Sequence, residues 1–157
     1  MVIGVGNPTL SDDGVGLRAA QAVATRLAER ADVDVRLLCA GGLRLMETMV
    51  GYDRAVVLDA LTAGDAFPGT IVELTEGDLS STRNLASVHD LSLPYALDLG
   101  RLMGMALPAT IVVLGVRAAD VTTFSEELSP PVAAAIGPLA DRVFELLAPV
   151  AVGNRRR

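Results

Sequence analysis

Three short aliphatic runs constrain this chain more than any other feature: "VIGV" at 2–5, "RAVVLDA" at 54–60 and "ATIVVLGV" at 109–116. Strands buried on both faces read as unbroken apolar runs, and such strands belong to parallel sheets covered by helices on both sides. The segments between them supply helices. "GVGLRAAQAVATRLAER", 14–30, has helical apolar spacing, and residues 43–50 form a short helix opened by Gly41-Gly42. "LSLPYALDLGRLMG", 91–104, predicts a helix capped by Ser92 with Pro94 in its first turn. "SPPVAAAIGPLADRVFELLA", 129–148, predicts a last helix starting at Ser129, with Gly137 and Pro138 bending or interrupting it. Residues 33–38 read as a further strand, 69–74 as an edge strand, and 75–88 as a polar connection. Strands therefore alternate with helices throughout. The expected fold is α/β, a three-layer sandwich with a twisted, mostly parallel sheet flanked by helices.

Ligands of such a sheet sit beyond the carboxyl ends of the strands, near the switch in strand order. Asp12 and Asp13 follow the first strand in "GVGNPTLSDDG", 4–14. Asp59 ends the 54–60 strand, and His89 precedes the helix leading to the last strand. All four are placed for one edge of the sheet. Each also has a plainer reading. Asp12 and Asp13 serve equally as helix caps, worth about 1 kcal/mol each. Asp59 serves as a loop carboxylate, and His89 as a surface or packed histidine. A dinucleotide turn fits worse: Thr9 stands where G-x-G-x-x-G needs glycine, the second strand offers no acid for a ribose, and two acids would repel a pyrophosphate.

Composition narrows the chemistry. A chain of 157 residues is expected to form one domain, 1–150, with a short basic tail at 151–157. All thirteen basic residues are arginine, so a Walker-type loop, Schiff-base chemistry and a lysine base are excluded. One histidine cannot build a multi-histidine zinc site, and one cysteine, Cys39, cannot form an internal disulfide. A net charge of −6 with 3% aromatic residues argues against nucleic acid as a partner. Charges break every apolar run before the roughly 20 residues of a membrane span, and Met1-Val2-Ile3 leads straight into the first strand. A soluble cytoplasmic protein without a signal peptide is the expectation.

"GVGNPTLSDDGVG", "GYDRAVVLDAL" and "VHDLSLPYALDLGRLMG", continuing through "IVVLGV" and "ELSPPVAAAI", resemble the nickel–iron hydrogenase maturation endopeptidases. The three motifs occur in order across nearly the whole chain. Members remove a C-terminal extension from the hydrogenase large subunit after nickel insertion. The resemblance implies a phosphorylase/hydrolase-like fold, aspartic-type endopeptidase activity and a large-subunit precursor as partner; a monomer is the expected state. It places the metal contacts and the catalytic residues at Asp13, Asp59 and His89. Asp12 matches the aspartate before the first of these and takes a supporting or capping role. Asp13 is one methylene shorter than the family's commoner glutamate. "LLCAGGLRL", 37–45, lacks the acid and threonine often found at the turn after the second strand.

Two carboxylates and an imidazole form a mixed oxygen–nitrogen set suited to nickel among other divalent metals. The resemblance implies nickel supplied by the substrate, with no tightly bound cofactor of the enzyme's own. Ser11 and Ser87 lack a second base, so a water activated by nickel or by a carboxylate is the expected nucleophile. Two alternatives stay open: a self-sufficient metallohydrolase holding permanent zinc or manganese at the same residues, and a non-catalytic metal-sensing chaperone on the same fold.

Overall fold

The computed structural model describes residues 1–62, 65–81 and 92–148. Five strands, β1 (Val2–Val5), β2 (Val35–Leu38), β3 (Arg54–Leu61), β4 (Ile71–Thr75) and β5 (Thr110–Arg117), form one sheet in the order β2-β1-β3-β5-β4. All neighbours run parallel except β4, which closes the edge antiparallel to β5. From β1 the chain steps outward to β2 and then returns to the far side of β1 as β3. The switch in strand order therefore falls between the carboxyl ends of β1 and β3, where Asp13 and Asp59 stand.

The central strands are apolar on both sides because both faces are covered. Val56 and Leu58 of β3 pack into one core with α1 (Val15–Arg26) and α5 (Pro130–Leu147). Val57, between them, points the other way, into a second core with α2 (Gly42–Met49) and α4 (Leu93–Leu102). This period-2 alternation sets which face each later residue serves. It puts Asp59 on the side of α2 and α4. Complete burial of side chains such as Leu58, Leu97, Leu114 and Leu139 contributes about 1.5–3 kcal/mol each.

Several local expectations are corrected. The first helix starts with a single 3-10 turn, Ser11–Gly14, and ends at Arg26 rather than Arg30. The polar connection contains α3 (Glu76–Ser81). Thr75 N–H donates to Asp78 at 2.8 Å, the reciprocal half of a capping pattern that starts a helix despite its polar composition. α5 runs uninterrupted through Pro138. Pro138 and Ala134 are both exposed, so the carbonyl that loses its donor faces water rather than the core. Ser92 and Ser129 do occupy the N-cap positions of α4 and α5, but neither side chain caps its helix. Among the described residues, no helix is long and apolar enough to cross a membrane.

Candidate functional site

The site begins with close packing of α1 on the sheet. A Cβ at Gly16 would lie 2.2 Å from the Leu58 carbonyl oxygen and 2.3 Å from that of Val5, so only glycine lets α1 press onto β1 and β3. At Gly6, with φ +145°, a Cβ would lie 1.9 Å from the Asp13 carbonyl oxygen. These contacts hold the 3-10 turn against the strand ends. Ser11 carries that turn in at a φ of 45°, in the left-handed region that non-glycine residues seldom adopt. Its N–H donates to Ser125 O at 2.7 Å, and its hydroxyl to Glu127 O at 3.2 Å. The strained residue is thus pinned by the segment that follows β5.

Adjacent residues of a 3-10 helix point about 120° apart, and the two acids part company accordingly. Asp12 is fully buried. Its carboxylate accepts from Ala119 N–H at 2.8 Å, Asp120 N–H at 3.1 Å, Ser129 N–H at 2.7 Å and the Ser129 hydroxyl at 2.9 Å. The capping reading of Asp12 is therefore corrected: its side chain bonds nothing in its own helix and instead ties the β1–α1 turn to the entry of α5. Sequence reasoning missed this clamp because its partners lie more than a hundred positions away.

Asp13 is partly buried, and its Oδ2 accepts from Asn7 N–H at 2.7 Å. Asp59 is also partly buried, and its Oδ1 accepts from Ala60 N–H at 2.8 Å. Desolvation pushes the Asp59 carboxyl up to about 7, against the Ala60 hydrogen bond and with the negative charge of Asp13 adding to the rise. The structure thus brings Asp13 and Asp59 into electrostatic contact at the switch point. Beside Asp59 lies a cleft of about 40 Å³ between Val5, Val57 and Val113 of the sheet and Leu45, Leu79 and Pro94 of the covering helices. Ser92, three residues after His89 in sequence, also lines it. His89 itself, Ser87 and the 151–157 tail lie outside the described residues. Cys39 is exposed and free. Chemically, the edge offers two carboxylates, each holding one backbone N–H, and that of Asp59 is poised between protonated and ionised near neutrality.

Known proteins share this arrangement of elements. The HycI family model, hydrogenase maturation protease, matches residues 17–146. The Hydrogenase 2 maturation protease of Escherichia coli is 28% identical over 148 residues, covering 94% of this chain and 89% of its own. The hydrogenase expression/formation protein HupD of Thiocapsa roseopersicina is 28% identical over 161 residues, covering 100% of this chain and 71% of its own. Among solved structures, the hydrogenase maturating endopeptidase HybD from E. coli superimposes with a TM-score of 0.75 at 28% identity, covering 93% of this chain and 90% of that one. HybD from Thermococcus kodakarensis shares the fold, with a TM-score of 0.70 at 24% identity over 92% of this chain and 96% of that one. With a family model spanning most of its length and an α/β core of the same topology, this chain belongs to the hydrogenase maturation protease family and is a peptidase.

Proposed function

We propose that this protease removes the C-terminal extension of a nickel–iron hydrogenase large-subunit precursor after nickel insertion, and that it recognises the precursor by the nickel it carries. Asp13, Asp59 and His89 contact that nickel and are its catalytic residues. The observation that carries this reading is Asp59 at the carboxyl edge beside Asp13, where desolvation, with a smaller push from the charge of Asp13, raises its carboxyl to about 7. Two carboxylates that disfavour one another's charge are relieved by a shared cation, and cation binding releases the proton that Asp59 retains. Asp59 also borders a small apolar cleft, and His89 precedes the Ser92 wall of that cleft by three residues. The imidazole completes an oxygen–nitrogen set suited to nickel.

Hydrolysis then needs a water at the metal or at a carboxylate. Its oxygen bonds the acyl carbon, the C–N bond breaks, and its proton leaves on the new amine. Because the metal arrives with the substrate, the protease has a complete centre only on a loaded precursor.

The test is a gel-shift assay of precursor with and without inserted nickel. One cut near the C-terminus of the loaded form, and none in the empty form, is expected. Equal cleavage of both overturns nickel recognition. About one tightly held metal ion per purified chain would instead favour the permanent metallohydrolase, and a failure to cleave either form the metal-sensing chaperone.

A further inference from the structure

Arg117 closes β5 one residue past the strand end that the sequence predicts. Its Nε and Nη1 are shut off from solvent and have no hydrogen-bond acceptor. Several other described arginines find carboxylates, as Arg26 meets Asp141, Arg30 Asp32, Arg101 Glu76 and Arg142 Glu73, and Arg18 and Arg54 find backbone carbonyls. Arg117 makes no such pair, and none with Asp13 or Asp59, among the described residues. A guanidinium cannot shed its charge, and desolvated donors without acceptors cost stability. Arg117 as a residue is nevertheless only partly buried.

The sheet fixes where this cation stands. Val112, Leu114 and Val116 belong to the core beneath α1 and α5, whereas Ile111 and Val113 belong to the other core. Alternation therefore puts Arg117 on the face that also carries Asp59. β3 and β5 pair Asp59 with Gly115 and Leu61 with Arg117. Arg117 is thus one pleat beyond Asp59 toward the carboxyl edge, with α-carbons about 8 Å apart from strand spacing and rise. Leu61 fills the space over Gly115, where a Cβ would lie 2.3 Å from its side chain, so that the acid and the guanidinium flank an apolar step.

We propose that Arg117 is a substrate-binding residue that holds a carboxylate of the precursor close to the cleaved bond. This rests on the processing function proposed above. A guanidinium with two desolvated nitrogens is screened less than one in water and attracts an anion more strongly. With two acids drawing the metal-bearing part of the precursor and one cation drawing an acidic group, the edge orients the peptide across the strand ends. The carboxylate is either an acidic side chain beside the bond or the new chain end that hydrolysis creates.

The experiment compares the parent with Arg117→Met, which keeps the stem and loses the charge, and with Arg117→Lys, which restores it. Melting in sodium acetate against sodium chloride at equal ionic strength reads anion binding without any substrate. Acetate is expected to raise the Tm of the parent and of Arg117→Lys above any rise in Arg117→Met, and in chloride Arg117→Met should melt no lower than the parent. On nickel-loaded precursor, an acidic side chain as the ligand predicts a KM about tenfold higher in Arg117→Met, with the loss in KM rather than kcat. The new chain end predicts unchanged KM and about tenfold weaker inhibition by the mature subunit. Arg117→Met matching the parent in acetate response, KM and product inhibition overturns the proposal, as does a large drop in its Tm in chloride, which marks a structural role. Failure of the parent to cleave the precursor would overturn the underlying function instead, while the acetate response still reads Arg117 directly.

Discussion

Asp12, in the turn after β1, and Asp59, near the end of β3, serve adjacent strands of the same sheet, yet they live in opposite chemical conditions. Asp12 is wholly enclosed and receives four hydrogen bonds, three from backbone N–H groups and one from a hydroxyl. Asp59 keeps some contact with solvent and receives one, from its own neighbour Ala60. The first carboxylate is saturated with donors and serves the fold. The second is left short of them, next to another acid, and is the one proposed above to meet the nickel of the precursor. Burial alone does not distinguish a structural acid from a functional one; the number of donors around it does.

Removing the saturated acid should have the largest effect on the molecule. Asp12→Ala strands up to four donors between the β1–α1 turn and the entry to α5, and is expected to lower unfolding free energy by about 4 kcal/mol. Asp12→Asn should recover only part of this, because its amide turns donors toward donors. Urea unfolding measures both. A cost below that of one ordinary hydrogen bond would erase the contrast with Asp59.

The opposite pattern is expected at the unsaturated acid. Asp59→Asn should slow precursor cleavage by at least about 100-fold, or roughly 2.7 kcal/mol of barrier, while leaving stability at pH 8 unchanged or higher. Asp13→Asn should lose most activity and Asp13→Glu should keep it, because asparagine can serve as a cap but not as an anionic ligand. Full activity of both Asn variants would show that neither acid touches the reacting centre.

The two acids were not equally readable from the amino-acid sequence. Buried parallel strands announce themselves through "AVVL" and "TIVVL", and once their order is a doubly covered sheet the edge holding Asp13 and Asp59 follows from topology. Asp12 and Asp13, by contrast, are chemically identical neighbours. Only the 3-10 turn, which directs one inward and the other along the strand end, tells them apart, and that turn depends on contacts with Ser125 and Glu127 far along the chain. α3 was hidden for a different reason: its residues are polar, and its start rests on a Thr75–Asp78 contact rather than on hydrophobic period. Arg117 went unnoticed because it ends a run whose apolar character suggested the strand stopped at Val116.

The contrast sharpens with pH. The Asp59 carboxyl lies at about 7 in the folded protein and ordinarily at 3.8. Between those values the folded state holds a proton that the unfolded chain has released, so stability must fall as pH rises across this window and level off above it. The expected loss from pH 5 to pH 8, taken as the difference between the parent and Asp59→Asn in urea unfolding, is on the order of 1–2 kcal/mol once the remaining solvent contact is allowed for. Saturating nickel should flatten the slope, since a bound cation keeps Asp59 ionised at all these values. Identical pH slopes in parent and variant would remove Asp59 from the account.

The smallest effect should come from trimming the Asp12 clamp without dismantling it. Ser129→Ala deletes the hydroxyl at 2.9 Å and leaves the Ser129 N–H bond at 2.7 Å, along with the bonds from Ala119 and Asp120. The carboxylate keeps three donors, and alanine leaves no orphaned polar group of its own. One bond to a charged acceptor is worth about 1.5 kcal/mol, and that is the expected fall in urea-unfolding free energy. Cleavage of the loaded precursor should be unchanged, because Ser129 touches the structural acid and not the Asp13–Asp59 pair. If Ser129→Ala instead cut activity as deeply as Asp59→Asn while costing little stability, Asp12 would be acting on the reaction through its clamp, and the division between a saturated structural acid and an unsaturated functional one would fail at its own boundary.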